Sequence, residues 1–244
     1  MTNAFDKDFW ETHWQQSTGG VGVSPYVDVA VAGLTPGSAL DAGCGEGVEA
    51  VWLAEAGWQV TAADISATVL ARAAARVSGR PDVAVRMQWV EADLSVWEPD
   101  RQFDLVMTHY THPATAQLEF YERIAGWVAP GGTLLIVGHL HHTRHGQGHG
   151  ADHVHPDIGS HRPPEAATAT AHGIASLLDP ARWEIVTAAE VSRTMPGGPT
   201  GEVVIDDVVV HARRTSPRRR ADTLTTSAVP SETSLTSDTR RCAE

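Results

Sequence analysis

Apolar positions along the chain keep two rhythms. Short continuous apolar runs, closing at Ala39 and Leu40 and recurring at 58–63, 83–90, 103–108 and 133–138, have the length and β-branched content of buried parallel strands. Between them lie stretches whose apolar residues return every three or four positions, as an amphipathic helix requires. These are 3–18, 25–34, the segment holding Val51, Trp52, Leu53, Ala54 and Ala56, then 67–79 and 114–128, and finally 164–178. Residues 182–191 and 202–213 instead alternate well enough to be strands, joined by the turn-rich MPGGPTG. Strands that alternate with helices predict an α/β fold with a doubly wound, mostly parallel sheet.

Local punctuation agrees with that reading. Asn3 or Asp6 can cap the first helix, Ser66 the helix after the second strand, and Gly57 and the Gly79-Arg80-Pro81 run can end theirs. Pro130-Gly131-Gly132 separates the helix over 114–128 from the fifth strand.

The segment 38–65 carries the chemistry. Gly43, Gly45 and Gly47 follow the first strand directly, a turn in which backbone can approach a ligand closely, and Asp64 ends the second strand. A dinucleotide fingerprint, G-x-G-x-x-G, needs a small third residue where this chain has Val48, and Asp41 at the strand tip would repel a pyrophosphate. A cationic ligand suits Asp41. S-adenosylmethionine (SAM) has a sulfonium and an ammonium, no phosphate, and a ribose diol that a carboxylate such as Asp64 can accept from.

The run D-A-G-C-G-E-G at 41–47, followed by Asp64, resembles motif I and the acidic residue of class I SAM-dependent methyltransferases. Further along, Ala92-Asp93-Leu94 resembles the family's adenine-binding segment, Phe103-Asp104-Leu105-Val106 its fourth strand, and the run from Ala129 to Leu135 the turn into its fifth. The resemblance implies a Rossmann-like, doubly wound seven-stranded sheet, mostly parallel with a C-terminal antiparallel strand pair. It places Asp41, Gly43, Gly45 and Gly47 around the methionine part of SAM, Asp64 and Ile65 at ribose and adenine, and Asp93 and Leu94 at adenine. It implies an N-terminal helical cap over 1–35 and a SAM-binding domain over 36–214, with small-molecule enzymes of the tellurite and thiopurine type as the nearest look.

Methyl transfer needs an aligned nucleophile and, where that nucleophile arrives protonated, a base. His109 and His112, delivered by the fourth strand in the segment HYTHP, are the candidates, and His109 also lies where the family binds the methionine moiety. Trp10, His13 and Trp14 of the first helix are placed to reach cofactor or substrate, and Tyr26 to close over the methionine end.

The composition narrows the alternatives. A formal net charge of −12 argues against nucleic acid as a partner, and no run approaches the about 18 apolar residues of a membrane span, so a cytosolic monomer or homodimer acting on a small molecule is expected. The two cysteines exclude a disulfide framework; Cys44 reads as a small residue in a tight turn rather than a reactive thiol. Eight of the thirteen histidines lie in 139–161, within a predicted lid over 139–163. His141, His145, His149, His153 and His155, with Asp152 and Asp157, have ligand types for a divalent metal but no fixed motif. A noncatalytic metal-binding or metal-sensing protein and an NAD(P)-dependent oxidoreductase are therefore the rival readings. The polar stretch 215–244 predicts a disordered tail.

Overall fold

In the computed structural model, residues 5–17, 22–140, 168–196 and 202–216 are described. The His-rich segment from 141 on and nearly all of the tail lie outside them, so neither the lid nor the tail is addressed by the structure. Seven strands form one sheet: β1 (Ser38–Ala42), β2 (Gln59–Asp64), β3 (Met87–Glu91), β4 (Phe103–His109), β5 (Val128–His139), β6 (Trp183–Pro196) and β7 (Glu202–Arg214), in the order β3-β2-β1-β4-β5-β7-β6. The first five run parallel, and β7 pairs antiparallel with both β5 and β6. This is the expected sheet.

Strand alternation divides the core into two layers. Leu134, Ile136, Val208 and Val210 turn to one face with Phe120 and Ile124, while Leu135, Val137 and Val209 turn to the other with Val27, Leu53 and Leu70. Successive residues of a strand thus serve opposite layers, so these runs are apolar throughout. On the first face lie α6 (Gln117–Gly126) and α7 (Ala171–Ala175); on the second lie α2 (Pro25–Val31), α3 (Val48–Glu55) and α4 (Ala67–Val77).

The helix ends follow the punctuation. The Asp6 carboxylate accepts from Phe9 N at 2.9 Å to cap α1 (Lys7–Gln16), and the Ser66 hydroxyl accepts from Val69 N at 3.2 Å to cap α4. Several boundaries differ from expectation: β5 already begins at Val128 and runs through Pro130-Gly131-Gly132, and among the described residues α7 is helical only over Ala171–Ala175. Val83 and Ala84 belong to a helical turn, α5 (Pro81–Ala84), because Pro81 is pre-set for a first helical position and Arg80 O accepts from the amides of both residues; β3 therefore starts only at Met87. Helix α6 begins at Gln117 rather than at 114, since the residues before it form the turn that leaves β4.

Candidate active site

A cavity of about 270 Å³ opens at the carboxyl ends of the parallel strands, around the point where the strand order reverses between β1 and β4. Its lining includes Asp41, Gly43, Gly45, Asp64, Ile65, Asp93, Leu94, His109 and His112, nine of the ten positions singled out from the sequence. Gly47 stands behind the lining. A Cβ there would come within 2.8 Å of the Trp89 ring, so this glycine lets α3 start at a φ of 72° against β3. Gly43 acts at the opposite side of the turn: its φ is 81°, and a Cβ would sit 2.0 Å from the Thr111 hydroxyl.

Carboxylates dominate one end. Asp41 is 2% exposed, and its Oδ2 has no hydrogen-bond partner. Burial, with Glu49 and Asp64 close by, pushes its carboxyl well above the ordinary range. Asp64 is likewise raised by burial, although Gly45 N donates to its Oδ2 at 2.9 Å and Ser66 N to its Oδ1 at 3.0 Å. Those bonds fix the carboxylate and leave each oxygen a further lone pair for a hydroxyl. Asp93 combines two roles: its Oδ1 accepts from Ser95 N at 2.9 Å and it borders the cavity. Cys44 is buried, and burial pushes its thiol well above the usual range, which makes it part of the turn and not a nucleophile.

The other end is walled by rings. Helix α1 lies against α4, held by Arg72 Nη1 donating to Trp14 O and to Ser17 O. Trp10 and Trp14 line the cavity; His13 does not. Phe5 and Trp10 stack on His112 at 5.4 and 6.4 Å, and His112 stacks on His139 at 5.0 Å. Burial lowers His112 to about 4, with Gln117 pulling the other way. His109 is half-buried as a whole, but both ring nitrogens are enclosed without a hydrogen-bond partner, and burial lowers it too.

Beside these rings is a polar network that sequence reasoning missed. Asp207 of β7 is fully buried and accepts from Tyr26 Oη at 2.9 Å, Tyr110 Oη at 2.6 Å and Arg193 Nε at 2.5 Å. Arg193 Nη2 also donates to Tyr110 Oη at 2.8 Å. Burial, then Asp207, raises the Tyr26 hydroxyl to about 12 and raises Tyr110 as well. Tyr26 therefore props Asp207 and does not border the cavity, contrary to expectation. Tyr110 has a φ of 52°, a left-handed conformation that costs a non-glycine residue roughly 1–3 kcal/mol and is repaid by this network and by Tyr110 N donating to Val137 O. Glu49 was also missed. Its place in the first turn of α3 reads as helix-dipole compensation, yet it lines the cavity and accepts from Ser24 N at 3.1 Å. Among the described residues, no group of three or more His, Cys, Asp or Glu could hold a metal ion.

The fold is the one seen in solved methyltransferase structures. Residues 39–132 match the family model described as a methyltransferase domain. Uncharacterized methyltransferases of Mycobacterium tuberculosis and Mycobacterium bovis are 39% identical over 100 residues, which is 40% of this chain and 48% of theirs. A probable thiol methyltransferase of Arabidopsis thaliana is 32% identical over 114 residues, 45% of this chain and 49% of its own. The chain thus spans about half the length of the curated relatives it matches. Among solved structures, the magnesium protoporphyrin IX methyltransferase of Synechocystis, crystallised with SAM, superposes with a TM-score of 0.58 over 88% of this chain and all of its own, at 18% identity. None of the matched relatives gives support to the oxidoreductase or metal-sensing readings. Among the described residues, no helix is long and apolar enough to cross a membrane.

Proposed function

We propose that this protein transfers the methyl group of SAM to a small-molecule acceptor and releases S-adenosylhomocysteine. The observation that carries the reading is Asp41: a buried carboxylate with one oxygen unpartnered, set among Glu49 and Asp64, is costly in an empty protein and suited to a cationic ligand. In this reading Asp41 and Glu49 face the positive charge, Asp64 accepts from the ribose hydroxyls, and Ile65, Asp93 and Leu94 hold the adenine. SAM supplies the electrophile: as the acceptor's lone pair forms its bond to the methyl carbon, the carbon–sulfur bond breaks and its electron pair stays on sulfur.

The chain's own part is to align, to exclude water and to take up a proton where the acceptor brings one. His109 is assigned that last role, because it lines the cavity and neither ring nitrogen has a hydrogen-bond partner. His112, wedged between Phe5, Trp10 and His139, is assigned to the wall. Oxygen, nitrogen and sulfur acceptors all fit this chemistry, and the name of the Arabidopsis relative supports sulfur among them. A soluble monomer or homodimer with the predicted lid and cap is part of the same proposal.

Titration calorimetry tests it. Wild-type protein is expected to bind SAM at micromolar concentration, and Asp64→Ala to lose about 10²–10⁴-fold in affinity, the worth of two charge-assisted hydrogen bonds. Absence of SAM binding by the wild type overturns the reading.

A further inference from the structure

The two ends of the cavity carry opposite charge chemistry. Asp41, Glu46, Glu49, Asp64 and Asp93 belong to the β1–β3 side, whereas Arg193 is the one Lys or Arg that lines the cavity among the described residues. Sheet order separates Arg193 from the cofactor-type residues. Strands lie ~4.8 Å apart, so β6 is roughly 19 Å from β1 across the sheet, and the Arg193 side chain reaches in from the far side.

That guanidinium is also fixed in place. Nε is held by a carboxylate that is itself fully buried, and Nη2 by the Tyr110 hydroxyl, so its plane is set before any ligand arrives. Nη1 is left without a partner among the described residues. The side chain is 21% exposed, partly withdrawn from water yet still able to meet a ligand. A planar fork with a pre-set orientation is matched by a planar anion, which is what makes arginine a carboxylate reader. In the same cavity, Ile205, Pro113 and the stacked rings of Phe5, Trp10 and His112 offer flat apolar surface, and His109, whose ring nitrogens have no partner, lines it too.

We propose that the acceptor of this methyltransferase is a small flat molecule bearing a carboxylate, and that Arg193, held by Asp207 and Tyr110, is the residue that reads it. The inference rests on the methyltransferase reading and deepens it. The carboxylate chemistry has one competing source, the amino-acid end of SAM itself, and position in the sheet favours the acceptor.

The test is equilibrium binding to the full chain saturated with S-adenosylhomocysteine, using matched probes: thiosalicylate against thiophenol, salicylate against phenol, and anthranilate against aniline. The acid of at least one pair is expected to bind ~10–100-fold tighter than its neutral partner, the range of a charge-assisted hydrogen-bond pair. Because removing Arg193 alone strands the Asp207 charge, the comparison uses Arg193→Met/Asp207→Asn, with Arg193→Lys as the conservative variant. The double variant should lose the preference for the acid and keep its SAM affinity within about twofold, and Arg193→Lys should restore part of the preference. Acids that bind no tighter than their neutral partners overturn the proposal. So does a double variant that loses SAM affinity but binds decarboxylated SAM as the wild type does, because Arg193 would then hold the cofactor's own carboxylate. Either result leaves wild-type SAM binding intact, whereas failure of the underlying methyltransferase reading shows as its loss.

Discussion

The two ends of the cavity are built in different ways. At the β1–β3 edge most acids are carried by a strand end or the turn that follows it: Asp41 precedes the glycines by two residues, and Asp64 is gripped by Gly45 and Ser66. The β4–β7 end is assembled from the whole length of the chain. Tyr26, Tyr110, Arg193 and Asp207 meet there although Tyr26 and Asp207 stand 181 residues apart. One end clusters acids and leaves the Asp41 Oδ2 unpartnered, and the other is a network in which carboxylate and guanidinium are paired. Substitutions at the first should therefore change SAM binding more than stability, and those at the second should change stability more than SAM binding.

Asp207→Ala attacks the comparison hardest. It strands the Arg193 charge and removes the acceptor of the two part-buried tyrosine hydroxyls, which should cost about 3 kcal/mol after allowing for the partial exposure of Arg193, toward the low end for a broken buried pair. Denaturant unfolding would show this, with SAM affinity of the folded protein little changed. Asp207→Asn, which keeps an acceptor, should cost less. A large SAM defect at unchanged stability would mean that the two ends are not separate.

His112 gives a similar but pH-dependent effect. Its folded pKa of about 4 lies below the ordinary 6.5, so the unfolded chain binds the proton more readily, and stability is lost as pH falls from about 6.5 to 4. At about 1.4 kcal/mol for each pH step of one, the loss approaches about 3 kcal/mol at pH 4. His112→Phe preserves a ring against Phe5 and Trp10 and removes the titration. The gap between variant and wild type in urea midpoints should therefore widen as pH drops, and a constant gap across that range would refute the assignment.

These contrasts also explain which parts were legible in the sequence. The sheet and the cavity-lining acids Asp41 and Asp64 were readable because their signals are local: a glycine turn, apolar strand runs, an acid at a strand tip. Glu49 was hidden by a second sufficient explanation, its value at a helix N-terminus. Arg193 and Asp207 sit in a strand pattern where one alternate position in two faces inward, and nothing near either residue says that the other will be beside it. Only the β6–β7 register, with His139 of β5 opposite Asp207, brings them to the cavity. The α5 turn was misread for the opposite reason, since Val83 and Val85 favour strand locally while Pro81 starts a helical turn on which Val83 is buried.

The smallest expected effect is also the sharpest on what the acidic end is for. Asp41 is held above its ordinary pKa in the folded protein, so the folded state binds the proton more tightly than the unfolded chain does, and stability falls as pH rises from the ordinary carboxylate range through the raised value. Asp41→Asn removes that penalty. Without ligand it should stabilise the protein by about 1 kcal/mol at neutral pH, the low end of what an unpartnered buried polar group costs, and raise Tm by about 3 °C. SAM affinity should drop in the same variant if, as proposed, the carboxylate that destabilises the empty protein is the one that meets the cation. A variant that is both less stable and unaltered in SAM binding would identify Asp41 as a structural residue with a partner in solution, and the division of the cavity would lose its clearest member. A gain in stability coupled to a loss in affinity is what separates a residue kept for a ligand from one kept for the fold.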